Sequence, residues 1–206
     1  MEHMFYVHAI GVDYQDGKYV IYAQVLNPMA IAKESAKSEE KTGAWIGMGV
    51  GLSFDEAVQN LYATTQRRVY WGHMDAIVLS ETVLAQKGVQ EVLDDLTRYH
   101  EIRYTPWMFC TNTPVSKVLT AEPILESSPV YSVLSDPNEV YNQSSFIKPL
   151  RLHRFIVNLQ EPGRPSILTE ISVTENQWYD AKTTHPEIKM SGYGLLRGKT
   201  SGSSVR

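Results

Sequence analysis

The sequence predicts an α+β domain in which amphipathic helices pack on a mixed β-sheet. Three observations lead to this fold class: the chain opens with a β-hairpin pattern, residues 44–111 alternate between strand and helix patterns, and a further strand pattern closes the chain near residue 196. At 206 residues, with 43% hydrophobic and 20% charged residues, the composition is that of a globular protein with one sizeable domain.

The opening hairpin is predicted from its turn. Asp16 and Gly17 lie between an apolar run at 5–13, whose alternation is imperfect, and a strand pattern at 18–26. An Asp-Gly pair favours a two-residue turn because both residues tolerate a positive φ. The following residues, 29–42, are small or charged and predict a loop or an exposed helix.

Residues 44–52 are apolar and contain several glycines, which predicts a buried strand. The glycines allow close packing or a bulge, and they lack the spacing of a dinucleotide or phosphate-binding loop. Ser53 and Glu56 then have the spacing of a capping box at a helix N-terminus. Apolar side chains at helical spacing predict that this helix continues to about Arg68.

The remaining elements follow from the same patterns. In order along the chain, they are a strand at 74–80, a short helix at 81–87, an amphipathic helix at 89–100, a strand at 104–111 and a helix at 115–119. A helix around 152–159, a strand at 167–173, a loop that contains Trp178 and Pro186, and a strand at 188–196 complete the prediction.

The domain is predicted to occupy residues 5–200, with residues 125–187 as a candidate subsidiary lobe. Residues 1–4 (Met-Glu-His-Met) are interpreted as the remnant of a cloning site. Residues 201–206, a short run that contains glycine and serine, are predicted to be a loose tail.

Composition and charge disfavour several classes of protein. With 19 basic and 23 acidic residues the net charge is −4, whereas proteins that bind the nucleic acid backbone usually have a basic excess. The charge-free run 42–54, like every other such run in the sequence, is shorter than the ~18 residues that a membrane-spanning helix needs. A single cysteine, Cys110, excludes an internal disulfide and a multi-cysteine zinc site.

The candidates for catalysis are weak. His73 and Asp75 are two residues apart, and on a strand they would share a face and could touch, which makes a hydrolase one alternative. No nucleophile elbow accompanies them, and the six histidines are scattered without metal-ligand spacing. No catalytic, metal-binding or cofactor-binding residues are therefore predicted.

A longer motif lies in the central block. Residues 67–81 have the sequence RRVYWGHMDAIVLSE, 85–89 AQKGV and 92–103 VLDDLTRYHEIR, while the ends of the chain contain AIGVD at 9–13, VLNP at 25–28 and GYGLL at 192–196. In this order the sequence resembles the C-subunit family of spore germinant receptors, the Ger(x)C spore germination proteins. The resemblance spans residues 5–197 and is strongest at 67–103.

The resemblance implies a non-enzymatic subunit of a nutrient receptor that takes part in spore germination. Members of the family are lipoproteins, anchored by an acylated cysteine at the outer face of the spore inner membrane, and act beside two membrane-embedded subunits, A and B. The resemblance implies no cofactor and no nucleic acid partner. This sequence has no lipobox cysteine, so a soluble piece without its anchor is expected.

Five charged or imidazole side chains of the motif are candidate structural or partner-contact residues: Arg68, His73, Arg98, Glu101 and Arg103. They are predicted at helix and strand ends, where hydrogen bonds and ion pairs would hold a corner of the sheet, and the last three are expected to form one network. The remaining alternative is a nutrient-binding sensor domain, which requires a concave pocket of roughly 300 Å³ or more with convergent polar groups.

Overall fold

In the part of the chain that the structure describes, a mixed β-sheet of nine strands carries helices on both faces. This computed structural model describes residues 4–26, 44–86, 89–99, 101–124, 131–144, 147–161, 166–179 and 183–196. The strands described are β1 (Phe5–Gln15), β2 (Lys18–Val25), β3 (Trp45–Gly51), β4 (Val69–Tyr70), β5 (Ala76–Ser80), β6 (Trp107–Thr111), β7 (Leu150–Arg151), β8 (Ser166–Tyr179) and β9 (Thr184–Leu196). The helices described are α1 (Phe54–Ala63), α2 (Glu81–Gln86), α3 (Val89–Arg98), α4 (Val115–Thr120), α5 (Asn138–Ser144) and α6 (Leu152–Gln160).

The strand order is β3-β2-β1-β5-β6-β8-β9, with β4 beside β1 and β7 beside β6. The four central strands, β1, β5, β6 and β8, are parallel to one another. Antiparallel pairing adds β2 and β3 on one side and β9 on the other. The predicted fold class, a mixed sheet with helices packed on it, is therefore confirmed.

The turn of the first hairpin has the predicted chemistry. Asp16 has φ 51° and Gly17 has φ 78°, so both residues between β1 and β2 are in the left-handed region. Two consecutive positive φ values define the turn that matches the twist of a hairpin. Because glycine occupies the second position, only Asp16 adopts a conformation that is unusual for a residue with a side chain.

β3 is a strand, as predicted, but the prediction that it is buried is wrong: Trp45 and Met48 are 73% and 56% exposed, because β3 is an edge strand and α1 covers only its glycine-bearing face. The glycines serve close packing, which is one of the two roles predicted for them. They lie under α1, and a Cβ atom on Gly49 would be 2.0 Å from the backbone oxygen of Ala57. One on Gly51 would be 2.4 Å from the Ala57 nitrogen. The helix backbone thus occupies the volume that a side chain on the strand would need.

Helix α1 begins as predicted and ends earlier than predicted. The Ser53 hydroxyl accepts a hydrogen bond from the Glu56 nitrogen at 3.2 Å, and the Glu56 carboxylate accepts one from the Leu52 nitrogen at 2.7 Å. The helix ends at Ala63, five residues before Arg68. Thr64 ends it, because its hydroxyl and its backbone nitrogen both donate to the Leu61 carbonyl three residues earlier.

The sheet divides the buried apolar side chains into two clusters. The larger cluster includes the apolar faces of α1, α2, α3 and α6, and the smaller one includes that of α4 together with Leu134, Ile171 and Ile188. The apolar faces predicted for α1, α3 and α6 are therefore the faces that pack against the sheet.

The prediction of a loop around Trp178 and Pro186 is wrong. Both residues lie in strands, and Trp178 pairs with His185 across β8 and β9. Pro186 is tolerated because it lies where the β8–β9 register shifts, on the last strand of the sheet, so its missing N–H removes no regular ladder bond. The predictions for 29–42, His100 and 201–206 fall outside the described residues, and the division into 5–200 with a lobe at 125–187 stays a prediction.

Cys110 is a free, buried thiol in β6 with 4% of its surface exposed. Burial raises its pKa to about 12, because the thiolate would lose its hydration. The thiol is therefore kept protonated and shielded, the environment of an inert structural cysteine.

Candidate functional site

A groove of about 640 Å³ lies where the end of α1, strand β4 and the end of α3 meet. Its lining consists of Tyr62, Thr65, Arg67, Arg68, Val69, Trp71, Arg98, Tyr99 and Glu101. Three arginines and one glutamate give this lining a formal excess of two positive charges, on a chain whose net charge is −4. The groove is thus a locally cationic region of an acidic protein.

An ion pair crosses the groove. Arg68 Nη2 lies 2.7 Å from Glu101 Oε1, so the residue before β4 is joined to the segment that follows α3. The Arg68 side chain is 67% exposed and that of Glu101 34% exposed. At such exposure an ion pair stabilises a protein by less than about 1 kcal/mol, so its main effect here is to fix the positions of the two side chains.

Arg98, in the last turn of α3, has weaker partners. Its Nη1 atom lies 3.7 Å from Asp95 Oδ1, which is longer than a hydrogen bond. Burial raises the pKa of Asp95, Arg98 lowers it, and the neighbouring carboxylates Asp55, Glu91 and Asp94 raise it further. The Arg98 side chain is 68% exposed and has no closer carboxylate among the described residues.

Aromatic side chains form the apolar part of the groove. The Trp71 indole Nε1 donates to the Tyr62 hydroxyl at 2.6 Å, and burial raises the pKa of Tyr62. The Tyr99 hydroxyl donates to Asp55 Oδ1 at 3.0 Å, and burial with this bond raises the pKa of Tyr99. Both phenols remain protonated at neutral pH, so each is a neutral hydroxyl on an apolar ring.

The structure brings three of the five predicted site residues together and separates the other two. Arg68, Arg98 and Glu101 share the groove. His73 lies elsewhere, with its exposed ring 5.4 Å from that of Tyr6 and 5.6 Å from that of Tyr70.

Arg103 is exposed and is not part of the groove lining. The expected network of Arg98, Glu101 and Arg103 is therefore replaced by two separate pairs, Arg68 with Glu101 and Arg98 with Asp95. Arg68 comes before β4 and Glu101 follows α3, so their ion pair joins two separate segments of the groove lining.

His73 and Asp75 do not form the pair that the hydrolase alternative requires. Strand β5 begins at Ala76, so neither residue is in the strand that would align their side chains. Asp75 Oδ2 instead lies 3.2 Å from His8 Nε2, and the structure records no contact between the Asp75 and His73 side chains. The geometry that would support a hydrolase is thus not formed by these two residues.

A buried polar cluster around His8 was missed by the sequence reasoning. His8 Nδ1 lies 2.7 Å from Gln24 Oε1, Nε2 lies 2.8 Å from the Ser135 hydroxyl, and the Gln24 amide donates to the Leu119 carbonyl at 2.7 Å. His8 and Gln24 are 6% and 1% exposed. The imperfect alternation of β1 was the available signal, because a bulge between Val7 and Ala9 inserts His8 into the strand.

A second buried cluster surrounds Asp13 near the end of β1. Its carboxylate accepts hydrogen bonds from the Thr82 hydroxyl at 2.5 Å, the Gln15 amide at 2.6 Å and the Tyr14 nitrogen at 2.8 Å. Burial alone would raise the pKa of Asp13, but these bonds outweigh it and the pKa is lowered. The cluster joins β1 to the first turn of α2, and its partners lie within the fold.

The described part of the chain forms neither a cluster of metal ligands nor a helix with the length and apolar character of a membrane span. No three of its histidine, cysteine, aspartate and glutamate side chains are grouped so that they could hold a metal ion. None of the helices described is both long and apolar enough to cross a bilayer.

Comparison with known proteins places the chain among spore proteins. A family model described as the spore germination protein N-terminal domain matches residues 1–173. A curated protein, spore germination protein KC of Bacillus subtilis (strain 168), is 28% identical over 102 residues. That match covers 48% of this chain and 25% of the relative, so the chain spans about a quarter of the length of the relative it matches. No solved structure matches the chain significantly.

Proposed function

Because the chain belongs to the family of spore germination proteins that share this N-terminal domain, we propose that it is part of a non-enzymatic subunit of a spore germinant receptor. The observation that carries the proposal is the family match over residues 1–173. It is supported by the curated relative, which is named a spore germination protein, and by the motif at 67–103.

In this proposal the subunit acts beside two membrane-embedded partners, the A and B subunits of the same receptor. It lies at the outer face of the spore inner membrane, where a lipid anchor on the full-length protein holds it. It takes part in passing a nutrient signal to the membrane subunits and uses no cofactor. A hydrolase is not proposed, because His73 and Asp75 have separate partners.

The role is tested in spores whose only nutrient receptor is the one that contains this subunit. Deleting the subunit's gene is expected to abolish the fall in optical density that follows nutrient addition. A non-nutrient trigger that bypasses receptors is the control, and the mutant spores should respond to it normally. Unchanged nutrient germination in the deletion strain would contradict the proposed role.

The partners are tested by purification from the same spores. An affinity tag on the full-length subunit is expected to retain the A and B subunits in detergent, in comparable amounts. An untagged strain is the control for non-specific capture. Recovery of the tagged subunit without either membrane partner would contradict this part of the proposal.

A nutrient-binding sensor domain is a second candidate function, and the groove favours it. Its volume of about 640 Å³ is within the usual range for small-molecule sites, and polar groups of both charges converge on it. A thermal-shift screen against amino acids, sugars and nucleosides tests this candidate. A ligand at about 100 times its dissociation constant adds about 2.7 kcal/mol, so the unfolding midpoint should rise by several degrees; a flat screen would count against the sensor.

A further inference from the structure

Among the three arginines that line the groove between α1, β4 and α3, only Arg98 is held neither by a hydrogen-bonded carboxylate nor by an aromatic ring in the described part of the chain. Arg68 is held by Glu101 at 2.7 Å, and the Arg67 guanidinium lies 5.6 Å from the centre of the Phe5 ring. Arg98 has Asp95 at 3.7 Å, beyond hydrogen-bond distance, and is 68% exposed. A guanidinium offers five N–H donors in a planar fork that matches a carboxylate.

A second donor faces the same space. The Tyr62 hydroxyl oxygen accepts the Trp71 N–H at 2.6 Å, and no described residue accepts the Tyr62 proton. A phenol with its acceptor side occupied can donate that proton to a ligand. The Tyr62 and Tyr99 rings beside it supply an apolar wall.

We propose that this groove binds a small organic monocarboxylate, with the carboxylate at Arg98 and Tyr62 and an apolar or aromatic group against the tyrosine rings. The proposal gives the nutrient-binding candidate its ligand chemistry and rests on that candidate; it does not depend on the receptor role. The Glu101 carboxylate disfavours ligands with several negative charges, because it is itself negative and already forms an ion pair with Arg68. A single negative charge matches Arg98, the groove arginine that neither a hydrogen-bonded carboxylate nor an aromatic ring holds among the described residues.

The binding test uses phenylacetate as the probe, titrated into the 206-residue chain by isothermal calorimetry at low salt. Saturable binding is expected, and phenylacetamide, which has the same size without the charge, should bind at least about tenfold more weakly. A charge-assisted hydrogen bond contributes about 1.5–3 kcal/mol, which corresponds to roughly tenfold or more in the dissociation constant.

The site is located with arginine variants. Arg98→Gln should weaken phenylacetate binding at least about tenfold, and Arg98→Lys, which keeps the charge without the planar fork, should have a smaller effect. Arg103→Gln is the matched control, because Arg103 is exposed and lies outside the groove lining. It should bind phenylacetate as the wild type does, and the circular dichroism spectra of all three variants should match the wild-type spectrum.

Three results would overturn the proposal: no saturable binding of phenylacetate, equal binding of phenylacetamide, or equal loss in the Arg98→Gln and Arg103→Gln variants. Each of these results can be told apart from a failure of the sensor role or of the receptor role. A nutrient that shifts the unfolding midpoint equally in wild type and Arg98→Gln would keep the sensor role and overturn the carboxylate site. Loss of nutrient germination in the deletion strain would support the receptor role whatever the groove binds.

Discussion

Replacing Gly49 with alanine is expected to destabilise the domain by about 3 kcal/mol, near the upper end of what overpacking a buried site costs. A Cβ atom on Gly49 would be 2.0 Å from the backbone oxygen of Ala57 and 2.8 Å from the backbone nitrogen of Leu61. Backbone atoms of α1 cannot rotate away as a side chain can, so the whole helix must move off the sheet. The free energy of unfolding is measured by urea denaturation with circular dichroism.

Gly192→Ala is the matched control, because it adds the same methyl group to another strand of the sheet. At Gly192 the nearest atom to the new Cβ is Glu170 Oε2 at 2.8 Å, the far end of a flexible side chain. This carboxylate can move aside, so the change should cost less than about 0.5 kcal/mol. Similar unfolding free energies for Gly49→Ala and wild type would show that α1 does not pack on β3 as closely as described.

Local chemistry predicted the elements whose causes lie within a few residues. The Asp16–Gly17 turn, the Ser53 cap and the close packing of the β3 glycines each depend on neighbouring positions, and each was confirmed. The end of α1 was misplaced because the apolar spacing continues to Thr65, while the threonine hydroxyls bind the backbone carbonyls and end the helix. Periodicity shows which face of a helix is buried more reliably than it shows where the helix ends.

The groove is formed by contacts between parts of the chain that are distant in the sequence. The sequence therefore indicated some of its residues but not which of them lie together. Arg68 and Glu101 are 33 residues apart and meet because β4 pairs with β1 while α3 packs beside α1. The motif places both residues at element ends, but their partnership requires the order of strands in the sheet. The clusters around His8 and Asp13 were missed for the same reason, since Ser135 is 127 residues from His8 and Thr82 is 69 residues from Asp13.

These clusters suggest a division of roles within the charged and polar residues. Asp13 is 7% exposed and its hydrogen bonds are all to groups of the fold, so its effect is on stability. Arg68 and Arg98 are about two-thirds exposed and contribute little to stability as surface ion pairs, so their substitution should affect binding more than folding. Stability and binding measurements on the same set of variants can therefore separate the two roles.

Asp13→Ala is expected to destabilise the domain by about 3 kcal/mol at neutral pH, because a buried carboxylate that accepts several hydrogen bonds is removed. The Thr82 hydroxyl, the Gln15 amide and the Tyr14 nitrogen would lose their acceptor, and the link from β1 to the start of α2 would be broken. Asp13→Asn is the conservative variant, since it keeps the size and one acceptor oxygen and removes the charge. It should cost less than the alanine variant in urea denaturation.

The same carboxylate makes part of the stability depend on pH. Burial raises the pKa of Asp13, and hydrogen bonds from Ser80, Thr82, Gln15 and Tyr14 outweigh it, so the folded-state pKa is below the ordinary value of 3.8. A lowered pKa means that the unfolded chain binds the proton more tightly, so this contribution is complete well above pH 3.8 and is lost as the pH falls through the folded-state pKa. The difference in unfolding free energy between wild type and Asp13→Asn should therefore be constant from pH 7 to about pH 5 and shrink below pH 3.8. A difference that stays constant throughout this acid range would mean that the charge of Asp13 does not stabilise the fold.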